Sequence, residues 1–252
     1  MEWYVRASRA EGFHRKLTEM IRPALEAEDM VVDIGCGPGM MSLEIARYVS
    51  GVCAIDSNAD AIAWLNEEIQ REGPSNIRTA LGDFIEDPEA LLPDRFDVAL
   101  FCYFGGPGEI FEAVYERAGR LVVMVTHGNR RRLGNDENRA GGTEEPSPAS
   151  RPLPRTERDM HRVYGYEMED YLKGRNISYE MSPVKIRFGQ PFVSLAEAER
   201  YLVAYSGIDI SASDVLRGYM EERMALVEKT GNREYPLYYP KTRESTIFFV
   251  KK

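Results

Sequence analysis

Apolar positions in the first half of this chain switch between two rhythms. Short apolar runs at Met30–Ile34, Val52–Asp56, Asn76–Leu81, Phe96–Tyr103 and Arg120–Thr126 read as strands. Between them, Met41/Ile45/Tyr48/Val49, Ile62/Leu65/Ile69 and Ile110/Phe111/Val114 recur at helical spacing, which predicts amphipathic helices covering the sheet. Strand and helix in alternation mark βαβ units, so these runs predict a doubly wound α/β fold on a parallel sheet. Ahead of the first strand, Phe13, Leu17, Met20 and Ile21 predict an N-terminal helix with one buried face, ended near Pro23.

The rhythm breaks after His127. Residues 128–162 are Gly, Pro, Ser, Asn and charge with almost no apolar side chain, and are expected to form a long surface insertion. Periodicity returns with a helix around Glu167–Lys173 and a strand within Ile177–Phe188. Two helices follow, carrying Leu195/Ala198/Leu202/Tyr205 and Leu216/Met220/Met224/Val227, and a last strand lies at Ser245–Val250. The expected organisation is a single domain over 1–252. It has an N-terminal helical cap at 1–28, the insertion at 128–162 after the fifth strand, and a helical insert at 190–240 between the last two strands.

Composition narrows the classes. With 32 basic against 41 acidic residues the net charge is −9, and 43% of residues are hydrophobic, as in an ordinary soluble globular protein. The acidic balance argues against a nucleic-acid partner, whose phosphates demand concentrated Lys and Arg. No stretch approaches the roughly 18 apolar residues of a membrane span, and charge in the first dozen residues argues against a signal peptide. The expected compartment is the cytoplasm. Cys36, Cys53 and Cys102 are too few and too scattered for a disulfide framework or a zinc site, so no metal is expected.

Chemistry concentrates at the first strand-to-helix junction. Val31-Val32-Asp33-Ile34-Gly35-Cys36-Gly37-Pro38-Gly39 places three glycines at alternate positions, where the backbone must turn tightly and lie against a ligand. Open α/β sheets bind ligands at this edge. The dinucleotide fingerprint requires glycine at position 40, where this chain has Met40, and Asp33 would repel a diphosphate while attracting an ammonium or sulfonium. A zwitterionic amino-acid nucleoside suits the turn better. Asp56, at the end of the second strand, can accept hydrogen bonds from vicinal ribose hydroxyls. Gly82-Asp83-Phe84 follows the third strand and offers an acceptor for an exocyclic amine beside a ring that packs on a base.

In this order, Asp33 to Gly39, Asp56, Gly82–Phe84 and Phe96-Asp97-Val98, the chain resembles the class I S-adenosylmethionine-dependent methyltransferases over about its first 126 residues. The resemblance implies a Rossmann-like, mostly parallel seven-stranded sheet whose last strand is antiparallel, with helical lid elements. It implies S-adenosylmethionine as cofactor and S-adenosylhomocysteine as product. Gly35, Gly37 and Gly39 would then line the methionine portion, Asp56 the ribose, and Asp83 and Phe84 the adenine, with Asp33, Cys36, Ser57 and Phe101 as further cofactor-binding candidates.

The acceptor side is less sharply drawn. His127, one step past the fifth strand, is a candidate base, and Tyr103 a second candidate catalytic residue. Tyr103 and Phe104 stand where amino-methylating relatives carry an Asn-Pro-Pro-Tyr type sequence, absent here, and Cys102 reads as a buried strand residue rather than a nucleophile. His14 and His161 read as surface residues. Trp3, Tyr4, Tyr164, Tyr166 and Phe192 lie in segments that fold over the site in small-molecule members, which implies an enclosed apolar or aromatic acceptor. The expected activity is methyl transfer to an oxygen or nitrogen of a small molecule. Alternatives are a tRNA or protein methyltransferase, a nicotinamide-dependent oxidoreductase, and a non-catalytic nucleoside-binding regulator.

Overall fold

The computed structural model describes residues 1–128, 163–206 and 213–252. The predicted insertion falls almost entirely outside them, as does His161. Among the described residues, seven strands form one sheet: β1 (Met30–Ile34), β2 (Gly51–Asp56), β3 (Ile77–Leu81), β4 (Val98–Cys102), β5 (Leu121–His127), β6 (Glu180–Arg187) and β10 (Thr242–Lys251). Their order is β3-β2-β1-β4-β5-β10-β6. β1 to β5 run parallel and β10 lies antiparallel to β5, with Ser245 opposite His127. This is the doubly wound sheet with its late antiparallel strand that the motif order implied. The order reverses beside β1, so the carboxyl ends of β1 and β4 open a crevice there.

Burial explains why the strand runs were so apolar. Val32, Ile34, Ala99, Phe101, Val122, Met124, Phe248 and Val250 form one core, and helices α6 (Glu109–Arg117) and α7 (Gly165–Gly174) add Phe111, Val114, Met168 and Leu172. The remaining helices of this unit are α1 (Glu2–Glu11), α2 (Phe13–Ile21), α3 (Met40–Ile45), α4 (Ala59–Glu72) and the short α5 (Pro88–Leu91). α2 packs against α3.

The N-terminal region departs from expectation in two ways. It forms two helices, because Gly12 at φ 59 adopts the left-handed conformation that ends α1 before α2 begins. Phe13, Leu17 and Ile21 are fully buried as predicted, but Met20 is 44% exposed, since the stripe follows the i, i+4, i+8 row instead. Proline at position 23 confines the chain after α2 to one 3-10 turn, Arg22–Ala24.

Contacts divide the chain into two units. The first holds residues 1–128, 163–186 and 243–252 of those described, and the second residues 187–206 and 213–242. The second contains the two predicted helices, α8 (Leu195–Ser206) and α9 (Ser213–Met224). Ser194 caps α8 reciprocally: its Oγ accepts the Glu197 N–H (3.2 Å), while the Glu197 carboxylate accepts the Val193 N–H (2.8 Å). It also contains an antiparallel sheet ordered β7-β9-β8, from β7 (Gln190–Phe192), β8 (Glu228–Lys229) and β9 (Leu237–Tyr239). Strands of two or three residues are too short to show a period of two, so the hydropathy pattern carries no trace of them.

Candidate functional site

The turn after β1 is held by its neighbours' backbones. The Gly35 and Cys36 N–H groups both donate to the Ile55 carbonyl of β2 (2.9 and 3.0 Å), and the Gly37 N–H donates to Asp56 Oδ2 (2.7 Å). Gly35, Gly37 and Gly39 all have positive φ, at 69, 54 and 68°. Their surroundings differ. A Cβ on Gly35 would lie 2.2 Å from Phe104 Cγ, and one on Gly39 2.3 Å from Leu65 Cδ1, so those two glycines allow close packing. A Cβ on Gly37 meets nothing within 4 Å.

The open space beside Gly37 belongs to a cavity of about 340 Å³ at the carboxyl edge of the sheet. Asp33, Gly35, Cys36, Gly37, Pro38 and Asp56 line it from the motif side, and Met1, Tyr4, His14 and Cys102 complete its wall. A larger cleft of about 580 Å³ lies at the opposite edge, but its principal cation, Arg120, is already paired with Asp29.

Asp33 is the most unusual group in the cavity. It is fully buried; Oδ2 accepts the Ser42 hydroxyl (2.5 Å), while Oδ1 accepts no hydrogen bond among the described residues. Burial pushes its carboxyl up to about 7, the Ser42 hydrogen bonds oppose the rise, and the Asp56 charge adds to it. A carboxylate so placed gains most from a cation delivered by a ligand. Asp56 is committed differently. Its oxygens accept the Gly37 and Asn58 N–H groups (2.7 and 2.8 Å), and lone pairs remain on both for hydroxyl donors. Asn58 in turn caps α4, accepting from Asp60 and Ala61 N–H.

The other sequence-predicted residues are distributed unevenly. Gly39 does not line the cavity and packs on Leu65. Ser57 and Asp83 are exposed and lie outside the lining, and Asp83 Oδ1 accepts the Ile85 N–H (2.8 Å). Phe84 and Phe101 are 3% and 1% exposed and belong to the sheet core. Phe192 is fully buried, edge-on to Tyr201 within the second unit.

Tyr103 and His127 end β4 and β5 and meet at 5.1 Å between ring centroids. The Tyr103 hydroxyl bonds Ser245 Oγ (2.5 Å) across to β10, and burial pushes its phenol up to about 12 against the pull of nearby Arg243. Burial drives the Cys36 and Cys102 thiols upward as well, so neither is a thiolate nucleophile.

His14 was expected on the surface and is instead 2% exposed. Its Nε2 bonds the Tyr4 hydroxyl (2.9 Å) and its Nδ1 the Ser8 hydroxyl (2.5 Å), while burial and then Arg243 push it down to about 3. It is therefore a neutral hydrogen-bonding link in the cavity wall. The signal lay in the helix spacing, since His14, Thr18 and Ile21 share a buried face. Arg243, which touches no sequence motif, was also missed.

Residues 31–123 match a family model described as a methyltransferase domain. A probable cobalt-precorrin-6B C(15)-methyltransferase (decarboxylating) of Methanothermobacter thermautotrophicus is 38% identical over 104 residues, 38% of this chain and 52% of that protein. The similarly named protein of Methanococcus maripaludis is 41% identical over 105 residues, 40% of this chain and 55% of its own. The chain thus spans about half the length of the curated relatives it matches. The crystal structure of a putative methyltransferase from Bacillus halodurans shares the fold, with a TM-score of 0.58 at 14% identity over 96% of this chain and 99% of that one.

Proposed function

We propose that the chain is a class I S-adenosylmethionine-dependent methyltransferase that methylates an oxygen or nitrogen of a small-molecule acceptor. The observation that carries the cofactor reading is Asp33: a buried carboxylate with one oxygen unpartnered, lining a cavity whose floor is a glycine turn. Such a site favours a ligand that is cationic at that end and has no phosphate, because diphosphate oxygens would meet Asp33 and Asp56 together. Open space at Gly37 leaves room for the ligand against the backbone, and the free lone pairs of Asp56 suit a ribose diol.

When bound, S-adenosylmethionine would supply an electrophilic methyl on a sulfonium, with a neutral thioether as the leaving group for the acceptor's lone pair. The protein's part is chiefly to hold acceptor and methyl in line and to exclude water. Tyr4, His14 and Cys102 form the wall that does so. His127 is the group placed to receive a proton where the acceptor arrives protonated, while Tyr103, its phenol kept protonated by burial, can only donate or position. His14, held neutral and pushed down to about 3, orients Tyr4 instead.

A second reading is favoured by the names of the relatives, which describe carbon methylation of a precorrin with decarboxylation; for this chain that would mean a tetrapyrrole-like acceptor. Calorimetric titration with S-adenosylmethionine, S-adenosylhomocysteine and NADH tests the common ground. Binding of the first two at roughly −8 kcal/mol, a micromolar affinity, with none of the third, is expected. NADH binding alone would overturn the assignment. Turnover assays with phenol, amine and carboxylated tetrapyrrole acceptors then separate the two readings.

A further inference from the structure

Two rings of the cavity wall begin a row of aromatic contacts that leaves the cavity along the carboxyl edge of the sheet. Tyr4 meets His14 at 5.6 Å between centroids, and His14 stands edge-on to Phe13 at 5.1 Å. Phe13 stacks on Tyr103 (6.4 Å), Tyr103 meets His127 (5.1 Å), His127 meets Tyr164 (5.8 Å), and Tyr164 stacks on Tyr166 (6.0 Å). The row is assembled from α1, α2, the ends of β4 and β5, and the start of α7, which a backbone bridge between His127 and Tyr164 aligns with β5. Phe13 is fully buried, whereas Tyr103, His127, Tyr164 and Tyr166 are half-buried.

One cation presides over this row. Arg243 lies at the start of β10, two residues before Ser245, which pairs with His127. Its guanidinium sits 4.6 Å from the Tyr103 centroid and 5.5 Å from that of Phe13. Its field reaches Tyr4, His14 and Cys102, each of which lines the cavity.

We propose that the half-buried rings Tyr103, His127, Tyr164 and Tyr166, together with Arg243, form the acceptor subsite, and that it selects a flat acceptor bearing a carboxylate. This rests on the cofactor reading above and narrows its acceptor. Partly exposed rings in a row meet planar π-systems by edge and offset contacts and have little to offer a flexible aliphatic. A guanidinium whose face is stacked on a ring still presents an in-plane set of N–H donors that matches a carboxylate, and it has enough of them to serve more than one partner. The charges also sort themselves along the edge. Asp33 lies at the cavity end, where a cationic ligand is wanted, and Arg243 at the ring end, where a cation would repel a basic acceptor and draw in an anionic one.

The test uses the full chain saturated with S-adenosylhomocysteine, titrated calorimetrically with two matched pairs: 4-hydroxybenzoate against 4-hydroxybenzamide, and indole-3-carboxylate against indole-3-carboxamide. Each carboxylate is expected to bind at least about tenfold more tightly than its amide, as one charge-assisted hydrogen-bonded pair provides. Arg243→Gln should abolish that preference and Arg243→Lys should keep part of it, with thermal midpoints confirming that both variants are folded. Equal binding of carboxylate and amide, a preference that survives Arg243→Gln, or no binding of any of the four overturns the proposal. Failure of S-adenosylhomocysteine to bind the unmodified protein is a different result, since it removes the cofactor reading first.

Discussion

The two ends of the carboxyl edge are built in opposite ways. The proposed cofactor end centres on one contiguous turn, Asp33 to Gly39, and works through backbone: three residues with positive φ, N–H groups fixed by Ile55 and Asp56, and space that a Cβ would change. The acceptor end is made from side chains at positions 103, 127, 164, 166 and 243, brought together by strand register and by the antiparallel return of β10. A backbone-made site fails abruptly when a side chain is added, while a side-chain-made site can be retuned one group at a time. That difference lets a scaffold keep one cofactor while its acceptors vary.

The sharpest way to break this contrast is to add one methyl group at each of two glycines. Gly35→Ala brings a Cβ to 2.2 Å from Phe104 in a backbone conformation that L-residues avoid, and is expected to cost about 2–4 kcal/mol of stability and abolish cofactor binding. Gly37→Ala meets nothing, so only its φ of 54° is penalised, at about 1 kcal/mol of stability. Its loss should fall on S-adenosylmethionine affinity instead. Chemical denaturation and calorimetry on the pair check this, and equal destabilisation by both would show that the turn is merely structural.

Asp33→Asn should move stability and affinity in opposite directions. A carboxyl raised to about 7 keeps its proton in the folded protein over a range where the unfolded chain, with the ordinary value near 3.8, has released it. Its favourable contribution to folding is therefore complete below pH 3.8 and is lost as pH rises through about 7. Removing the charge should stabilise the protein at pH 8 by about 1–3 kcal/mol while weakening binding of the cationic cofactor. In the unmodified protein the same titration predicts tighter S-adenosylmethionine binding above pH 7 than at pH 6. A flat affinity profile over that range would remove Asp33 from the site.

Asp56→Ala comes next. It removes the acceptor of the Gly37 N–H along with that proposed for the ribose, and should weaken S-adenosylhomocysteine binding by about 1–3 kcal/mol. Unchanged affinity in the folded variant would show that Asp56 holds the turn and touches no ligand.

The same contrast governs what the sequence makes legible. Strands β1 to β5 and the glycine turn could be read because each is a contiguous pattern with its own period, and Asp33 and Asp56 were found through their places at strand ends. Phe84 and Phe101 show a limit of such reading: an aromatic in an apolar run is equally fit for the core, and both lie there. His14 was misjudged because it was weighed as a polar residue and not as one position on a buried helical row. Arg243 had no motif to announce it. Only the register of β10 against β5 brings it to Tyr103, and register is a property of the folded sheet.

The smallest expected effect probes whether the two ends are independent. Tyr103 adopts φ 59°, one of two non-glycine residues to do so among those described, and its hydroxyl bonds Ser245 while Arg243 lies over its ring. Tyr103→Phe keeps the ring and the stacking and removes only the hydroxyl, which should cost about 0.5–1.5 kcal/mol of stability. Because Tyr103 does not line the cavity, S-adenosylhomocysteine affinity should stay within about a factor of two, less than 0.5 kcal/mol. Acceptor turnover should change more than that, since β10 loses one of its ties to the end of β4 and Arg243 gains freedom. A large drop in cofactor affinity instead would mean that Tyr103, next to Cys102 in the cavity wall, transmits strain into the cofactor end, and that the two halves of the edge act as one site.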